Sequence, residues 1–228
     1  MTDVRKLLAR LNPTTVKFDI GSGGGVPELT AQDIAAALAF VPEGIGRDMM
    51  CLIWWPHGAE VTRRGLDEKI AQLLHGELSK RVHAVQDAKL ALAFLEGRLG
   101  SRFVSHATQM EIRKAKLQIE TTKMNCWPLE CAEVYATLRN AVIDELMEPN
   151  LCRTCGGRCD VRDGDLVVTC EQCEGSGIAP VSDRARAHRI GRSQTTYLQN
   201  WRGPYEWLHR KLSEAEAEAR TLLAKALQ

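Results

Sequence analysis

Long apolar runs are missing from this chain of 228 residues. The two longest, residues 34–41 and 49–56, are too short to span a bilayer, so we expect no membrane partner. We also expect no export signal, because the opening residues MTDVRKLLAR do not have the pattern of one. We therefore expect a reducing cytoplasmic location, where the eight cysteines are more consistent with metal binding than with disulfides.

Signatures of catalysis are missing as well. The chain has no His-x-Glu element joined to a Pro-Cys-x-x-Cys element, as in zinc deaminases, and no glycine loop that leads into a helix with lysine, as in phosphate-binding enzymes. The six histidines are scattered, and none lies at metal-ligand spacing from another. We therefore expect a protein that is not an enzyme.

The charge of the chain is balanced overall but uneven along its length. The net charge is +1 at pH 7, and the content of 44% hydrophobic and 26% charged residues is typical of a soluble globular protein. Residues 184–211, however, contain seven basic residues against Glu206 alone, which gives a local charge of +6. A basic segment is typical of nucleic-acid binding, although a solvated helix face has the same composition.

Two Cys-x-x-Cys motifs are the most informative feature that the chain does contain. Cys152 and Cys155 form the first motif, and Cys170 and Cys173 form the second. Four thiolates complete a tetrahedral shell, and zinc is the usual ion in such a closed site, so we predict one zinc ion held by these four residues. A disulfide or redox motif is the alternative, but it needs an oxidising compartment or a strand-to-helix context, and the sequence indicates neither.

The residues around the cysteines predict a small zinc hairpin. Glycines follow both motifs, at 156–157 and again at 175 and 177, where the chain must turn back toward the sulfurs. Between the motifs, residues 161–169 alternate around an Asp-Gly-Asp turn, which is typical of a β-hairpin. Cys159 lies in the same segment, and we interpret it as a spare thiol rather than a ligand.

The rest of the chain predicts a mainly α-helical body. Helices are expected over residues 31–40, 45–55, 66–81, 82–99, 111–121 and 129–147. Thr30 and Asp33 form a capping box before the first of them. The buried face of the helix at 82–99 is expected to consist largely of Ala88, Leu90, Ala91, Leu92, Phe94 and Leu95.

The carboxyl-terminal region predicts a helix-turn-helix. Ser182 can cap a helix through residue 190, Gly191 supplies the turn, and Ser193 can cap a second helix through residue 201. A small residue, Ala187, falls where the two helices should cross. An ordinary helical pair beside the zinc site is the alternative. The residues predicted to contact DNA are Arg184, Arg189, Arg192, Gln194, Thr195, Thr196, Gln199, Asn200 and Arg202.

These patterns predict a mainly α fold, in which a helical body carries an inserted four-cysteine zinc hairpin followed by a helix-turn-helix. The expected divisions are a flexible arm with a glycine-rich linker at 1–27, the helical body at 28–150, the zinc hairpin at 151–180, the helix-turn-helix at 181–213 and a C-terminal helix at 214–228.

The motifs resemble those of the Q-type transcription antitermination proteins of lambdoid bacteriophages, of the phage lambda type. The resemblance is carried by CRTCGG at 152–157, by CEQCEGSG at 170–177 and by the helical tail at 182–212, with a weaker likeness at 29–51. Together with the hairpin between the two cysteine motifs, these segments cover a little over a third of the chain. The chain departs from the family's Gly-x-Gly rhythm at Cys159, and its glycine-rich arm has no counterpart there.

The resemblance implies a late-gene antiterminator. Such proteins bind a double-stranded DNA element in the late promoter and engage the host RNA polymerase, with its sigma factor, while it is paused just downstream. They then stay with the polymerase, which reads through pauses and terminators. The partners implied are DNA and polymerase in the bacterial host cytoplasm, and a second copy of the chain on the DNA is left open.

Two other functions stay open on the sequence alone. The first is a zinc-containing helix-turn-helix repressor or activator that does not travel with polymerase. The second is a DnaJ-like zinc peptide-binding module, because the pattern Cys-x-x-Cys-x-Gly-x-Gly also resembles that domain. DnaJ-type domains use four such repeats and two metals, however, and this chain has two motifs and no His-Pro-Asp tripeptide.

Overall fold

The structure is a computed structural model. It describes residues 8, 30–55, 61–97, 105–129, 132–147, 152, 154–155, 160–163, 166–175 and 177–227. The glycine-rich linker, Cys131, Cys159 and the glycines at 156–157 lie outside this set. Among the described residues, no helix combines the length and apolar character that a membrane span requires.

The described part of the chain is mainly helical, which confirms the predicted class. Its elements are α1 (Ala31–Ala39), α2 (Ile45–Trp54), α3 (Arg63–Gly97), α4 (His106–Met124), α5 (Ala132–Met147), β1 (Asp160–Asp163), β2 (Leu166–Thr169), α6 (Asp183–Arg189), α7 (Gln194–Thr196), a π-helical turn (Tyr197–Trp201) and α8 (Arg202–Ala226). The chain forms two compact units, residues 1–70 with 133–228, and residues 71–132.

Helix α3 differs from the sequence prediction because it is one continuous helix rather than two. Its 35 residues contain no proline, so every residue after the first turn can donate its backbone N–H to the helix. Its one central glycine, Gly76, costs about 1 kcal/mol relative to alanine, which is too little to end a helix of this length.

One hydrophobic core cluster of the first unit lies where α1, α2 and α8 pack together. Ile34, Met50 and Leu223 are fully or almost fully buried there. Helices α2 and α8 approach closely at Gly46, where a Cβ atom would lie 2.2 Å from the backbone oxygen of Ala215. Position 46 therefore admits only glycine, since any side chain would collide with the backbone of α8.

Helix α1 begins at the predicted capping box. The backbone N–H of Asp33 donates to the Thr30 hydroxyl oxygen at 3.2 Å, and the backbone N–H of Thr30 donates to the Asp33 carboxylate at 2.8 Å. The hydrogen bonds from Thr30 hold the pKa of Asp33 below its usual range. This confirms the predicted helix start.

A buried carboxylate joins three helices of the first unit. Glu145 of α5 accepts hydrogen bonds from Arg186 of α6, at 2.6 Å and 3.2 Å, and from the hydroxyl of Tyr205 of α8, at 2.7 Å. Arg189 and His209 lie at 3.7 Å and 3.5 Å from the same carboxylate. Burial acts to raise the pKa of Glu145, but the hydrogen bonds from Arg186 and Tyr205 outweigh it and hold this pKa below its usual range.

The second unit contains two helical segments with a shared pattern of burial. Between residues 83 and 97 of α3, every residue is exposed except Val85, Ala88, Leu92 and Leu95. In α4, the residues that are not exposed are Thr108, Ile112, Ala115, Ile119 and Thr122. Both series alternate steps of three and four residues, which is the seam spacing of a two-helix coiled coil.

Side-chain contacts show that the two helices run antiparallel. Glu96, near the end of α3, pairs with Lys116 of α4 at 3.8 Å. Arg81, earlier in α3, donates to the backbone oxygen of Asn125 after the end of α4 at 2.7 Å. Leu90, Ala91 and Phe94 lie outside the seam and are exposed, so the buried face predicted for residues 82–99 was wrong at these positions.

Candidate metal centre and the helix pair that follows it

The four predicted cysteines come together in the first unit. Their Sγ atoms all lie within 4.8 Å of one another, with 3.9 Å between Cys152 and Cys170 and 3.7 Å between Cys155 and Cys173. A tetrahedral ion with metal–sulfur bonds of about 2.3 Å needs sulfur–sulfur distances of about 3.8 Å. The cluster therefore fits a four-coordinate metal ion. These distances are far longer than the roughly 2.05 Å of a disulfide, which excludes that alternative for these residues.

Backbone N–H groups point at the sulfurs. Hydrogen bonds from the N–H groups of Cys155 and Thr154 lower the pKa of Cys152 to about 7 against the opposing effect of burial. Burial raises the pKa of Cys173, but the hydrogen bond from Gly177, at 3.3 Å, and other contacts outweigh it, so this pKa is lowered. Burial raises the pKa of Cys170 to about 11. N–H donors favour the thiolate, which is the form that binds metal.

The predicted hairpin between the two motifs is present. Strands β1 and β2 pair antiparallel, with Val161 opposite Val168. Gly177, with φ of 72°, occupies the left-handed region, and its backbone oxygen accepts a hydrogen bond from the N–H of Cys152 at 2.9 Å. This bond joins the end of the second motif to the start of the first, so the positive φ at Gly177 brings both ends of the module together.

Among the described residues of the hairpin there is almost no hydrophobic core. Its buried cluster consists of the four cysteines, with Val161 packed against them. Leu166, Val167 and Val168 of β2 are exposed. So small a module cannot bury enough apolar surface to be stable alone, and metal–sulfur bonds can take the place of the missing core.

Two helices begin after the metal cluster, and each begins at a predicted capping serine. The hydroxyl oxygens of Ser182 and Ser193 accept hydrogen bonds from the backbone N–H groups of Ala185 and Thr196, at 3.3 Å and 3.2 Å. Gly191 has φ of 66° between the two helices. The residues of this pair that face the interior are Ala187, Ile190, Tyr197 and Trp201, whereas Leu198 is exposed.

The second helix of this pair does not end at residue 201. It passes through the π-helical turn Tyr197–Trp201 and continues as α8 to Ala226, so no break occurs at the boundary expected between residues 213 and 214. Pro204 accounts for the turn, because a proline ring collides with the carbonyl four residues earlier in a regular α-helix. The wider π-helical turn, in which the N–H of Arg202 donates to the oxygen of Tyr197, relieves this collision.

The residues predicted to contact DNA have three kinds of surroundings. Thr196 is half-buried, with its hydroxyl 2.9 Å from that of Ser193. Arg189 reaches Glu145, and Arg202 pairs with Glu206 at 2.8 Å. The remaining residues are exposed: Arg184, Arg192, Gln194, Thr195, Gln199 and Asn200.

The local positive charge is smaller in three dimensions than along the sequence. Three acidic residues that lie outside residues 184–211 form ion pairs with the basic residues of that segment. Glu145 pairs with Arg186 and Arg189, Asp183 pairs with Arg202, and Glu214 pairs with Arg210 and Lys211. Together with Glu206 they make four acidic residues against seven basic residues, so the local charge is +3 instead of +6. Of the seven, Arg184 and Arg192 are the two with no acidic partner within the described residues.

No protein-family model, curated protein or solved structure matches this chain.

Proposed function

We propose that the protein is a phage late-gene transcription antiterminator of the Q type. In this proposal it binds duplex DNA at a late promoter, engages the paused host RNA polymerase with its sigma factor, and stays with the polymerase so that it reads through terminators. Its location is then the cytoplasm of the bacterial host. The protein itself performs no chemical step.

The observation that carries the proposal is the exposed polar surface that follows Gly191. Arg192, Gln194 and Gln199 are exposed there, on and before a helix whose opposite side is buried through Tyr197 and Trp201. Arginine pairs with guanine and glutamine pairs with adenine through two hydrogen bonds each in the major groove. A second helix that enters this groove is how helix-turn-helix proteins read sequence.

We assign zinc to the four-cysteine cluster. Zinc favours a closed tetrahedral shell of four thiolates, and a closed shell leaves no position for a substrate, so the ion stabilises the hairpin and does not catalyse. Metal analysis of the purified protein should give one zinc per chain. A protein whose hairpin is folded but contains no zinc would contradict the assignment.

DNA binding can be tested without knowledge of the site. Duplexes selected by the protein from a random library would serve as the cognate probe, and an unrelated duplex would serve as the non-specific probe. Gln194→Ala should weaken cognate binding by about 1–3 kcal/mol and leave non-specific binding unchanged, because it removes a base contact. Arg184→Ala should weaken both and reduce the salt dependence of binding by about one unit of slope, because it removes a phosphate contact.

A matched control for these variants is Arg64→Ala. Arg64 is an exposed arginine of α3 whose one ionic partner among the described residues is its neighbour Glu68, so its loss changes the charge equally without touching the proposed surface. If Arg64→Ala and Arg184→Ala weakened binding equally, the effect would be one of net charge. If Gln194→Ala kept full preference for the selected duplex, the proposed base-reading surface would be wrong.

A regulator that binds DNA but does not travel with polymerase is the second candidate. It uses the same zinc site and the same exposed residues, so DNA binding does not separate the two functions. Readthrough of a distant terminator does, because a regulator that stays at the promoter stops acting once elongation begins.

A further inference from the structure

An apolar stripe runs along the outward face of α4. Ile112 and Ile119 lie in the seam between α4 and α3, whereas Met110, Leu117 and Met124 recur at intervals of seven residues on the opposite side of α4. These three residues are 51%, 68% and 78% exposed. Large apolar side chains in line on an exposed helix are typical of an interaction surface.

The stripe is self-complementary. Leu117 lies at its centre, seven residues from Met110 and seven from Met124. If α4 packs antiparallel against α4 of a second copy about a two-fold axis at Leu117, each leucine contacts its counterpart and Met110 contacts Met124 of the second copy.

The charges beside the stripe fit the same pairing. Arg113 precedes Leu117 by four residues, and Glu120 follows it by three. In the antiparallel arrangement, Arg113 of one copy and Glu120 of the other lie on the same side of the interface, about 1.5 Å apart along the helix axis. Arg113 therefore meets Glu120 of the second copy, and the two-fold symmetry produces this ion pair twice. Lys116, which lies near the axis on that side, is already paired with Glu96 of its own chain.

We propose that this face of α4 is a homodimerisation surface and that a second copy of the chain covers it. The interface of three apolar side chains and two ion pairs is small, and interfaces below about 1,200 Å² are typical of weak association, so the dimer should dissociate with a constant on the order of micromolar. This surface belongs to the second unit alone and does not depend on DNA binding.

Sedimentation equilibrium of the full chain, without DNA, tests the surface. The wild-type protein should show a monomer–dimer equilibrium, and Leu117→Lys should raise the dissociation constant at least about tenfold, because it places two cations at the centre of the interface. Leu90→Lys is the matched control, since Leu90 is equally exposed, at 67%, but lies on α3. It should leave the equilibrium unchanged. Circular dichroism would confirm that both variants keep their helices.

Charge exchange tests the register. Arg113→Glu and Glu120→Arg should each weaken self-association, because each places like charges opposite one another twice. An equimolar mixture of the two variants should form a heterodimer, in which both cross-pairs are again of opposite charge. A wild-type protein that stays monomeric at about 100 µM, a dimer that survives Leu117→Lys, or a mixture that does not associate would each overturn the proposal.

Discussion

Removal of the buried carboxylate of Glu145 should destabilise the first unit more than any surface change. The Glu145 side chain is 6% exposed and that of its main partner, Arg186, is 17% exposed, so Glu145→Ala leaves a largely buried guanidinium without its anion. Breaking a buried ion pair from one side costs about 3–5 kcal/mol. We expect a loss of about 3 kcal/mol, at the low end of this range, because Arg186 keeps some contact with water. The hydroxyl of Tyr205 also loses the nearer of its two acceptors and keeps the backbone oxygen of Ala141 at 3.4 Å.

Urea denaturation at pH 7, followed by circular dichroism, would measure this loss. Glu206→Ala is the control, because Glu206 forms an exposed ion pair with Arg202, and such pairs contribute about 0–1 kcal/mol. The double variant Glu145→Ala/Arg186→Ala should lose less than the sum of the single variants, since both remove the same interaction. A loss below about 1 kcal/mol for Glu145→Ala, or strict additivity, would refute the role assigned to this pair.

Three further outcomes follow from single positions. Because the pKa of Glu145 is lower in the folded protein than in the unfolded chain, its contribution to the free energy of unfolding should be complete above about pH 4.5 and be lost as the pH falls through the folded value. A pH titration of stability in which Glu145→Ala shows the same pH dependence as the wild type would contradict this. Gly46→Ala should destabilise by at least about 1–3 kcal/mol, because its Cβ would lie 2.2 Å from the Ala215 oxygen, and thermal melting should show a lower midpoint; an unchanged midpoint would mean that α2 and α8 do not pack so closely. Cys170→Ser should abolish metal binding and unfold the hairpin while Cys126→Ser leaves the metal content unchanged, and the reverse order in metal analysis would show that the ligands are wrongly assigned.

The sequence was sufficient where the signal is local. Ser182 and Ser193 each precede a run of helical residues, and each caps a helix in the structure. The metal ligands were equally predictable, because the spacing of Cys-x-x-Cys fixes which sulfurs can share one ion. In both cases the determining residues lie within a few positions of one another.

Contacts between distant residues were not predictable in the same way. Glu145 and Arg186 are 41 residues apart, and no local pattern indicates that a glutamate and an arginine will meet in the interior. The arginines around Glu145 were therefore counted as free positive charge, which overestimated the local charge of residues 184–211.

The antiparallel pair of α3 and α4 shows a different limit of prediction from sequence. Residues 82–99 are rich in alanine and leucine, so hydrophobicity alone indicated a wide buried face, but a two-helix seam covers only one residue in every three or four. The steps from Val85 to Ala88, Leu92 and Leu95 contain the heptad spacing, and the residues between them, such as Leu90, remain outside.

The most direct test of the proposed function is in vitro transcription with purified host RNA polymerase. The promoter of the first template would include the duplex selected by the protein, and that of the second an unrelated duplex; both would have an intrinsic terminator far downstream. An antiterminator should raise readthrough on the first template only, because loading needs the DNA element beside the initiating polymerase and the effect must persist during elongation. Equal termination with and without the protein on the first template, under conditions where it binds that promoter, would contradict antitermination and favour a regulator that stays on the DNA.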